Sequence, residues 1–404
     1  MVFEAETANP SPQPPSNGMT PEKKRKLSEP VPPARIAVIG AAWWSQGWHL
    51  PQLQRNPDST IAAIMQRSEQ PEAAKFLNLT LETKTQLRER YGVPIFSSCE
   101  ELLADEKTMA AIDGVIICTA HACHADMGKK FLAAGKHILM EKPMTVDVPE
   151  ARELAAAAAA APSLAFMVNN TANFRDKCFD ARRLVETGEL GGIHHVLCVM
   201  YSPLMNLFND PANTGWVKAT GTMLQPDGSG NGFGWGQLSH LLGWVLFVGG
   251  LEVEEVTAIT HRSEASGADL TDAALIKCKG GCSLSLSGGV YPGNEFGETR
   301  TGKHFDIRMF GQKGVLMYGG DDGKPESGRL ELRRHDGPSF VSEGFLMENT
   351  EKEGYGPESL LNFVAACRGQ PYRNGADQQV GLQAVRVLEA MYRSACSGKT
   401  EKAL

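Results

Sequence analysis

The side chains best suited to chemistry are a charged pair at the end of a buried strand and a histidine far along the chain. Glu141-Lys142-Pro143 follows the apolar run from His137 to Met140, and His240 opens an apolar helical stretch. Ligands of open α/β sheets bind at the carboxyl ends of strands. An imidazole, with an ordinary pKa of about 6.5, can relay a proton at neutral pH. The alternatives are a surface lysine at the start of a loop and an inert core histidine.

A strand, a helix and a second strand position this charged pair. Val115 to Cys118 is an apolar run, and apolar residues recur at helical spacing from Met127 to Leu132. Gly135 stands where a helix C-cap favours a residue without a side chain. A strand, a crossover helix and a parallel strand of this length form a βαβ unit. We therefore expect residues 33–170 to form an α/β domain around a doubly wound parallel sheet.

The ordered part of the chain begins with another strand, turn and helix. Ile36 to Ile39 is apolar, Gly40 opens a turn, and Pro51 suits the first turn of the following helix. The pyrophosphate of a dinucleotide lies at this place in α/β domains, on free backbone N–H groups. The usual G-x-G-x-x-G pattern keeps only its first glycine here. The residues expected to lie against the cofactor are Gly40, Ala42, Trp43, Trp44 and Ser45, with the Ser45 hydroxyl available to phosphate.

The end of the second strand bears on the choice between two cofactors. The strand from Ile61 to Met65 runs into Gln66-Arg67-Ser68. A domain specific for NAD places an acidic residue here on the ribose 2′-hydroxyl, whereas an arginine accommodates the 2′-phosphate of NADP. Gln66 is uncharged and Arg67 is adjacent, so we favour NADP. NAD is the alternative, because Arg67 could also stack on adenine or be solvated.

Several segments together resemble the glucose-fructose oxidoreductase, inositol dehydrogenase and MocA family. The resemblance is carried by Ala134 to Pro143, AGKHILMEKP, and continues in Gly188-Glu189-Leu190-Gly191 and in Leu388 to Ala395, LEAMYRSA. In this family, the lysine of the first motif lies beside the nicotinamide and hydrogen-bonds the reacting hydroxyl or carbonyl of a sugar-like substrate. The resemblance therefore implies that Glu141 and Lys142 lie at the cofactor and that Lys142 is catalytic.

The same resemblance assigns further residues to the cofactor. Thr119-Ala120-His121 stands where the family has Thr-Pro-Asn, and His124 matches a histidine of the same loop. Thr119 and His121 are thereby placed near the nicotinamide ribose, while His124 could instead cap the helix and touch nothing catalytic. Asn169, after the strand from Ala165 to Val168, could reach the nicotinamide carboxamide. The loop from Gly40 to His49 is one residue longer than is common in the family.

The catalytic histidine implied by the resemblance lies in the second domain. The family motif D-x-G-x-H-x-x-D aligns His240 with the histidine that exchanges the hydroxyl proton, but Gly236 and Gly243 replace its two aspartates. We expect Gln237, Asp227 or Trp235 to supply substrate contacts in their place, with the Trp235 ring as a platform for the apolar face of a sugar. The missing carboxylates leave the substrate class open.

The reaction that the resemblance implies is reversible hydride transfer between a nicotinamide and a carbon that bears a hydroxyl or a ketone. Lys142 would polarise the oxygen, and His240 would carry the proton. Substrates would be sugars, inositols, sugar acids or trans-dihydrodiols. No metal is expected, since the lysine takes the role of a Lewis acid. The one crowding of possible ligands matches no metal signature: His121, Cys123, His124 and Asp126.

Two other functions fit parts of the sequence. Some fungal proteins of this fold, the galactose-regulon repressors, keep nucleotide binding but regulate transcription through protein contacts. The eroded glycines, the lost aspartates and the basic cluster from Lys23 to Lys26 fit that alternative. The intact Glu141-Lys142-Pro143 and His240 favour an enzyme instead. A glycosidase that oxidises its substrate transiently with NAD is the third candidate.

Residues 171–404 are predicted to form an α+β domain with a large, mostly antiparallel sheet. From Ile193 onward the apolar period changes to two, with turn residues between the runs. Long successive strands after a βαβ series favour an antiparallel sheet with one free face. That face would hold a substrate cleft or a partner subunit, which suggests a homodimer or homotetramer. The predicted strands are 193–201, 253–261, 271–278, 282–290, 304–311, 313–318 and 328–334, followed by helices at 357–368 and 378–397.

Composition limits the remaining functions. The 404 residues carry a formal charge of −7, with no basic footprint for nucleic acid and no apolar run of about twenty residues that would span a membrane. The nine cysteines form no C-x-x-C pair, which predicts reduced thiols and a cytoplasmic protein. Residues 1–32 are rich in proline and polar residues, which predicts a disordered tail. Its cluster from Lys23 to Lys26 is either a nuclear localisation signal or plain solvated charge.

Overall fold

A parallel sheet of six strands forms the centre of the first domain. A computed structural model of the chain describes residues 31–69, 80–210, 232–293, 302–324, 326–347 and 354–404. The strands are β1 (Ala34–Ile39), β2 (Ser59–Met65), β3 (Ile95–Phe96), β4 (Gly114–Ile117), β5 (His137–Met140) and β6 (Phe166–Val168). Their spatial order is β3-β2-β1-β4-β5-β6, and all neighbouring strands are parallel. The predicted doubly wound sheet is confirmed, and its switch point lies between β1 and β4, where ligands of such sheets bind.

Helices connect these strands. They are α1 (Leu50–Arg55), α2 (Lys84–Tyr91), α3 (Cys99–Ala104), α4 (Glu106–Ala111), α5 (His124–Ala133) and α6 (Val148–Ala159). The alanine-rich α6 packs closely on α5 at Gly128, since a Cβ there would lie only 2.7 Å from Leu154 Cδ1. Residues 70–79, which precede α2, lie outside the described residues.

A nine-stranded sheet forms the second domain and follows α7 (Asp176–Glu186). In chain order come β7 (Ile193–Ser202), α8 (Met205–Phe208), α9 (Ser239–Gly249), β8 (Val253–Arg262), β9 (Asp269–Cys278), β10 (Ser283–Val290), β11 (His304–Gly311), β12 (Gly314–Asp321), β13 (Gly328–Arg334), β14 (Phe340–Phe345), α10 (Glu358–Cys367), α11 (Gln378–Ser397) and β15 (Glu401–Lys402). The spatial order is β14-β13-β12-β11-β7-β10-β9-β8-β15. Only the pair of β7 and β10 is parallel, so the predicted antiparallel sheet is confirmed.

Two strands of this sheet were not predicted from the sequence, and one begins earlier than expected. β14 has the sequence FVSEGF, in which a glycine and two polar residues weaken the apolar alternation, and β15 is only two residues long. β9 begins at Asp269 instead of residue 271, because two buried aspartates hide its apolar pattern.

The last two helices tie the two domains together. α10 packs against β5 and β1 of the first sheet, and α11 contacts α6, β8 and α9. The residues from Pro33 to Leu404 accordingly form one compact unit. The predicted domain boundary between residues 170 and 171 therefore separates the two sheets along the sequence, although helices that follow it pack against the first sheet.

Two further sequence predictions concern membrane-spanning segments and residues 1–32. Within the described ranges, no helix is long and apolar enough to cross a membrane. Residues 1–30, including the cluster from Lys23 to Lys26, lie outside the described residues. The disordered tail and the nuclear signal stay predictions.

Candidate active site

Lys142 connects the two domains at the carboxyl end of β5. Its peptide bond to Pro143 is cis. Lys142 Nζ donates a hydrogen bond of 2.6 Å to the backbone carbonyl of Gly236, which lies in a π-helical turn (Gly234–Leu238) directly before α9. His240 follows one helical turn later and lies close enough to Lys142 for their charges to interact. The two side chains predicted to be catalytic therefore lie at one junction between the domains.

His240 is a buried imidazole beside two ammonium groups. The residue is 9% exposed, and no described residue provides a hydrogen-bond partner for its Nδ1. Burial lowers the pKa of His240 well below its ordinary value, and the charges of Lys142 and Lys303 lower it further. The ring is therefore neutral at physiological pH and able to accept a proton.

A small cavity lies beside His240, between α9 and the sheet. Its volume is about 10 Å³, and Trp244, Phe305 and Tyr318 are among the side chains that line it. This volume is enough for about one water molecule. The cavity is therefore no substrate site.

Glu141 is the acceptor at which three elements meet. Its Oε1 accepts hydrogen bonds from Trp44 Nε1 (3.0 Å), His49 Nε2 (2.8 Å) and Asn169 Nδ2 (2.7 Å). Burial alone would raise the pKa of Glu141, but the hydrogen bonds from His49 and Asn169 and the charge of Lys142 hold it below its ordinary value. The buried carboxylate therefore stays charged and fastens the first helix and the end of β6 to the end of β5.

Asn169 is engaged at both ends of its amide. Its Nδ2 donates to Glu141, and its Oδ1 accepts a hydrogen bond of 2.6 Å from Ser359 Oγ in α10. The expected contact with a nicotinamide carboxamide is therefore not what this arrangement provides. Asn169 instead holds Glu141 in place from the side of α10.

The turn after β1 depends on its glycine. Gly40 has φ +94°, and a Cβ there would lie 2.4 Å from the carbonyl oxygen of Cys118. Both its conformation and its surroundings therefore require glycine. The Ser45 hydroxyl donates to the Gly40 carbonyl and is fully buried, so the prediction that it faces a phosphate is wrong. Its role is to close the turn.

The extra residue in this loop is taken up by the helix that follows. Helical structure begins at Trp43, widens into a π-helical turn over Ser45–His49 and continues as α1. A π turn holds an additional residue in one turn of helix. The half-buried rings of Trp43, Trp44 and Trp48 contact one another with centroid distances of 5.2 Å and 5.1 Å. Half-buried Ala42 and these tryptophans line the place predicted for the dinucleotide.

The end of β2 separates the predicted roles of two neighbours. Gln66 is buried, and its Oε1 accepts a hydrogen bond of 3.0 Å from the backbone N–H of Ala41. Gln66 therefore supports the glycine turn from below. Arg67 is exposed, and it lies near Cys123 at the start of α5. Of the two, Arg67 is the side chain that solvent or a ligand can reach.

Two histidines follow β4 and differ in their contacts. His124 is fully buried, with Nδ1 3.0 Å from the Pro143 carbonyl oxygen and Nε2 3.3 Å from that of Thr119. It holds the loop after β4 against the loop of Pro143, in keeping with the alternative that it is structural. His121 is half-buried, and its Nδ1 has no partner among the described residues. Burial lowers the pKa of His121 well below its ordinary value, and the charges of His124 and Lys142 add to this effect.

Neighbouring side chains occupy the space of the two missing aspartates. A Cβ at Gly243 would lie 2.3 Å from Asn170 Nδ2, and a Cβ at Gly236 would lie 3.0 Å from Phe208 Cζ. Asn170 is 2% exposed, and its Oδ1 lacks a partner within the described part of the chain. The structure therefore compensates for the loss of both carboxylates by close packing, which leaves His240 without an acidic partner on α9.

Of the three residues predicted to replace those aspartates, Asp227 lies outside the described residues, and the other two lie in different settings. Trp235 is fully buried and stacks on Tyr392, with ring centroids 5.9 Å apart. It has no free face for a sugar, so that prediction is wrong. Gln237 is 9% exposed, and its Oε1 lacks a hydrogen-bond partner in the described ranges. Its amide remains able to bind a substrate hydroxyl.

Sequence reasoning passed over two residues of the site. Lys303 is buried next to His240, and His49 binds Glu141. Side chains alternate along a strand, so Lys303 shares the face of Phe305 and Ile307, both of which line the cavity beside His240. This period of two could have assigned Lys303 to the interior. No comparable sequence pattern predicts the contact between His49 and Glu141, because this contact depends on the π-helical turn.

The described residues contain no group of three or more side chains that could hold a metal ion. Of the possible ligands around the start of α5, His124 faces backbone carbonyls and Asp126 pairs with Lys130 at 2.7 Å.

The site fits a nicotinamide dinucleotide. The first turn of the helix at Trp43 has backbone N–H groups without intrahelical acceptors, which suit a pyrophosphate. Across the junction, several buried polar atoms have no partner among the residues described, and His121 Nδ1, Gln237 Oε1 and His240 Nδ1 are among them. Buried polar atoms are rarely left unpaired in native proteins, and a bound cofactor and a hydroxylated substrate would pair them.

Two sequence models of a single family match the chain. The model described as "Oxidoreductase family, NAD-binding Rossmann fold" (GFO/IDH/MocA) matches residues 34–170. The model described as "GFO/IDH/MocA C-terminal domain" matches residues 180–317. Together the matches span more than half of the chain and include all residues of the candidate site up to Lys303.

Individual proteins are similar to the chain over different lengths. The uncharacterized oxidoreductase YrbE of Bacillus subtilis is 27% identical over 312 residues, 75% of this chain and 81% of that protein. The uncharacterized oxidoreductase C115.03 of Schizosaccharomyces pombe is 29% identical over 167 residues, only 40% of each protein. Scyllo-inositol dehydrogenase from Lactobacillus casei, solved with NAD(H) and scyllo-inositol, superposes with a TM-score of 0.65 over 92% of this chain and 99% of that chain. At 18% identity, this last similarity concerns the fold alone.

Proposed function

The chain belongs to the GFO/IDH/MocA family of oxidoreductases, and from this premise we propose that it transfers a hydride between a nicotinamide cofactor and a carbon bearing a hydroxyl or a ketone. The substrate is a sugar, a polyol or a related small hydroxylated molecule. The observation that carries the proposal is the hydrogen bond from Lys142 to Gly236, because it brings the lysine to the helix of His240.

The chemistry follows from the protonation states of two side chains. The nicotinamide, when bound, would supply the hydride acceptor for the carbon bearing the hydroxyl. The hydroxyl proton passes to His240, whose ring is neutral and therefore has a nitrogen lone pair to accept it. Lys142 donates a hydrogen bond to the oxygen as it becomes a carbonyl, and its positive charge stabilises the negative charge that develops there. In the opposite direction His240 returns the proton and Lys142 polarises the ketone.

The proposed cofactor is NADP, with NAD as the alternative. Gln66 is held by the glycine turn and carries no charge to repel a 2′-phosphate. Arg67 is exposed at the end of β2, where a guanidinium can pair with that phosphate. Thr119 and His121, at the end of β4, are proposed to border the nicotinamide ribose.

A homodimer or homotetramer through the second sheet is proposed as the assembly. The face of the sheet turned away from α9 exposes Ile259 (74%) and Leu275 (59%). Large exposed aliphatic side chains on neighbouring strands of a sheet favour contact with another protein surface. No direct partnership with nucleic acid or a membrane is proposed.

A binding titration followed by a turnover panel tests the function. NADPH and NADH are titrated into the protein, and a panel of sugars, inositols, sugar acids and trans-dihydrodiols is then assayed by nicotinamide absorbance. Lys142→Met should bind the nucleotide and lose at least about a hundredfold in kcat, since it removes the group that stabilises charge in the transition state. Lys129→Met, which alters an exposed ion pair with Glu153, is the matched control and should keep full activity.

Three outcomes would count against the enzyme. If neither nucleotide binds, the proposed cofactor is wrong. If Lys142→Met keeps full activity, the proposed mechanism is wrong. Tight nucleotide binding without turnover of any panel member favours a nucleotide-binding regulator instead.

A further inference from the structure

Two aspartates of β9 lie together in the core behind the helix of His240. Asp269 and Asp272 are both fully buried, and their carboxyl groups lie close enough to interact directly. Residues three apart on a regular strand point to opposite faces. The register of β8 and β9 shifts where Asp269 pairs with Arg262, and this bulge turns both side chains to the same side.

The hydrogen bonds of the pair require one shared proton. Asp269 Oδ2 accepts from Gly234 N (2.7 Å) and from Tyr392 Oη (3.0 Å), while Asp272 Oδ1 accepts from Thr260 Oγ1 (2.8 Å). No donor from the described residues reaches Asp269 Oδ1 or Asp272 Oδ2. Two carboxylates in contact inside a protein cannot both be charged, and a proton between these two oxygens satisfies both. Burial and the charge of Asp269 raise the pKa of Asp272 well above its ordinary value, so Asp272 is the acid of the pair.

The remaining charge is directed at the turn that contacts Lys142. Asp269 Oδ2 accepts two hydrogen bonds, one from Tyr392 Oη and one from the N–H of Gly234, the first residue of the π-helical turn before α9. The Tyr392 hydroxyl also accepts a hydrogen bond of 3.2 Å from Trp235 N. The two peptide N–H groups before Gly236 are thus fixed from the core side, and the Gly236 carbonyl accepts from Lys142 on the other side.

We propose that Asp269 and Asp272 are a positioning pair for the active site. The protonated Asp272 keeps Asp269 in place as a charged acceptor, and Asp269 fixes the backbone whose Gly236 carbonyl orients Lys142. Neither carboxyl group is proposed to touch substrate or cofactor. The effect on turnover rests on the proposed hydride transfer, whereas the effect on Lys142 does not.

Substitution by asparagine distinguishes the two members of the pair. In Asp272→Asn the amide still donates to Asp269 and accepts from Thr260, so a neutral isostere replaces a neutral acid. We expect its kcat to stay within about twofold of wild type. In Asp269→Asn the charged acceptor is lost, and kcat should fall at least about tenfold while KM for the nucleotide stays within about twofold.

A chemical probe reads the effect on Lys142 without any substrate. Reductive methylation of lysines is quantified by mass spectrometry well below the unfolding temperature of each variant, with the exposed Lys277 as internal reference. Asp269→Asn should raise the rate at Lys142 several-fold, because the Gly236 carbonyl no longer holds the ammonium. Asp272→Asn should leave this rate unchanged.

The results that overturn the proposal are specific. It fails if both asparagine variants lower the unfolding temperature alike and leave methylation of Lys142 unchanged, as a merely structural pair would. If Asp269→Asn does not fold, Tyr392→Phe replaces it in the test. This variant keeps the charge of Asp269 but removes the hydroxyl that accepts from Trp235 N, so methylation of Lys142 should rise to a smaller degree. A wild-type protein without turnover would defeat the proposed function alone, because the methylation comparison still decides the role of the pair.

Discussion

His240 owes its proposed role to what surrounds it more than to its residue type. Its Nδ1 lacks a partner among the described residues, and the ammonium groups of Lys142 and Lys303 lie nearby. An imidazole in such a place stays neutral where an exposed one would become protonated. A neutral ring beside a lysine can take the proton of a hydroxyl without first losing one of its own, so the missing aspartates need not abolish proton transfer.

The same burial makes folding stability depend on pH. The pKa of His240 is lower in the folded protein than in the unfolded chain. The neutral ring therefore contributes fully to the free energy of unfolding above about pH 6.5, and this contribution is lost as the pH falls towards the pKa of the folded protein. Between about pH 7.5 and 5.5 this loss amounts to about 1.4 kcal/mol for one histidine that stays neutral when folded. His240→Gln should remove this part of the decline in guanidinium unfolding experiments. The exposed His261→Gln should retain the full wild-type decline, and an identical slope in both variants would contradict the assignment.

Arg67 is the single side chain that we propose to decide the preference between NADP and NAD. Arg67→Gln should weaken NADPH binding by about tenfold or more, which is the strength of one charge-assisted hydrogen bond, and leave NADH binding unchanged. Isothermal titration with both nucleotides measures the difference. Equal losses for NADPH and NADH would mean that Arg67 contacts a part common to both, and no loss for either would place it in solvent.

Two π-helical turns flank the proposed active site at the scale of secondary structure. Ser45–His49 lies on the side of the first sheet and Gly234–Leu238 on the side of the second. The first turn brings His49 to Glu141, and the second brings the Gly236 carbonyl to Lys142. Such turns cost helical hydrogen bonding and occur often at functional sites. Here each one aims a group at the Glu141-Lys142 pair.

Glu141 tests whether these elements act as a unit. Glu141→Gln removes the charge that receives Trp44, His49 and Asn169, so it should lower the free energy of unfolding by about 3 kcal/mol and weaken nucleotide binding. Glu153→Gln changes an exposed ion pair and should stay within about 0.5 kcal/mol of wild type. Chemical denaturation and nucleotide titration measure both effects. Unchanged nucleotide affinity in Glu141→Gln would separate the cluster from cofactor binding.

The sequence predicted most elements because their apolar periods are strong. β5, with the sequence HILM, and α11, predicted at 378–397 and found at Gln378–Ser397, are examples. Prediction from the sequence failed where a polar residue is buried by partners that are distant in the chain. Asp269 and Asp272 interrupt the apolar pattern at the start of β9. Trp235 was predicted to be a ligand platform, because its packing on Tyr392 cannot be read from the sequence. Contacts such as that of Asn169 with Ser359 join residues far apart in the chain, which no local pattern can report.

The whole molecule is organised around the junction of its two sheets. α10 and α11, at the end of the chain, return to pack on β5 and α6. Movement of one sheet against the other would therefore have to break contacts of both helices as well as the hydrogen bond from Lys142 to Gly236. We expect the spacing between the ends of Lys142 and His240 to be set by this packing.

The outer face of the second sheet is expected to join protein copies. Leu275→Glu places a charge in a shallow groove of about 310 Å³ that Ile259 also lines, so it should convert the oligomer to monomers in light-scattering chromatography. Leu361→Glu, at a leucine of α10 that is 40% exposed, is the matched control and should keep the oligomer. A wild-type protein that runs as a monomer would contradict the proposed assembly.

The central claim is that Lys142 and His240 act on one nicotinamide at the junction of the sheets. A crystal structure of the protein with NADPH bound measures this most directly. We expect C4 of the nicotinamide to face the space between Lys142 Nζ and the His240 ring, with room for a substrate carbon at about 3–3.5 Å from C4. A nicotinamide that lies away from Lys142, or a ring of His240 turned from it with another residue in its place, would contradict the account.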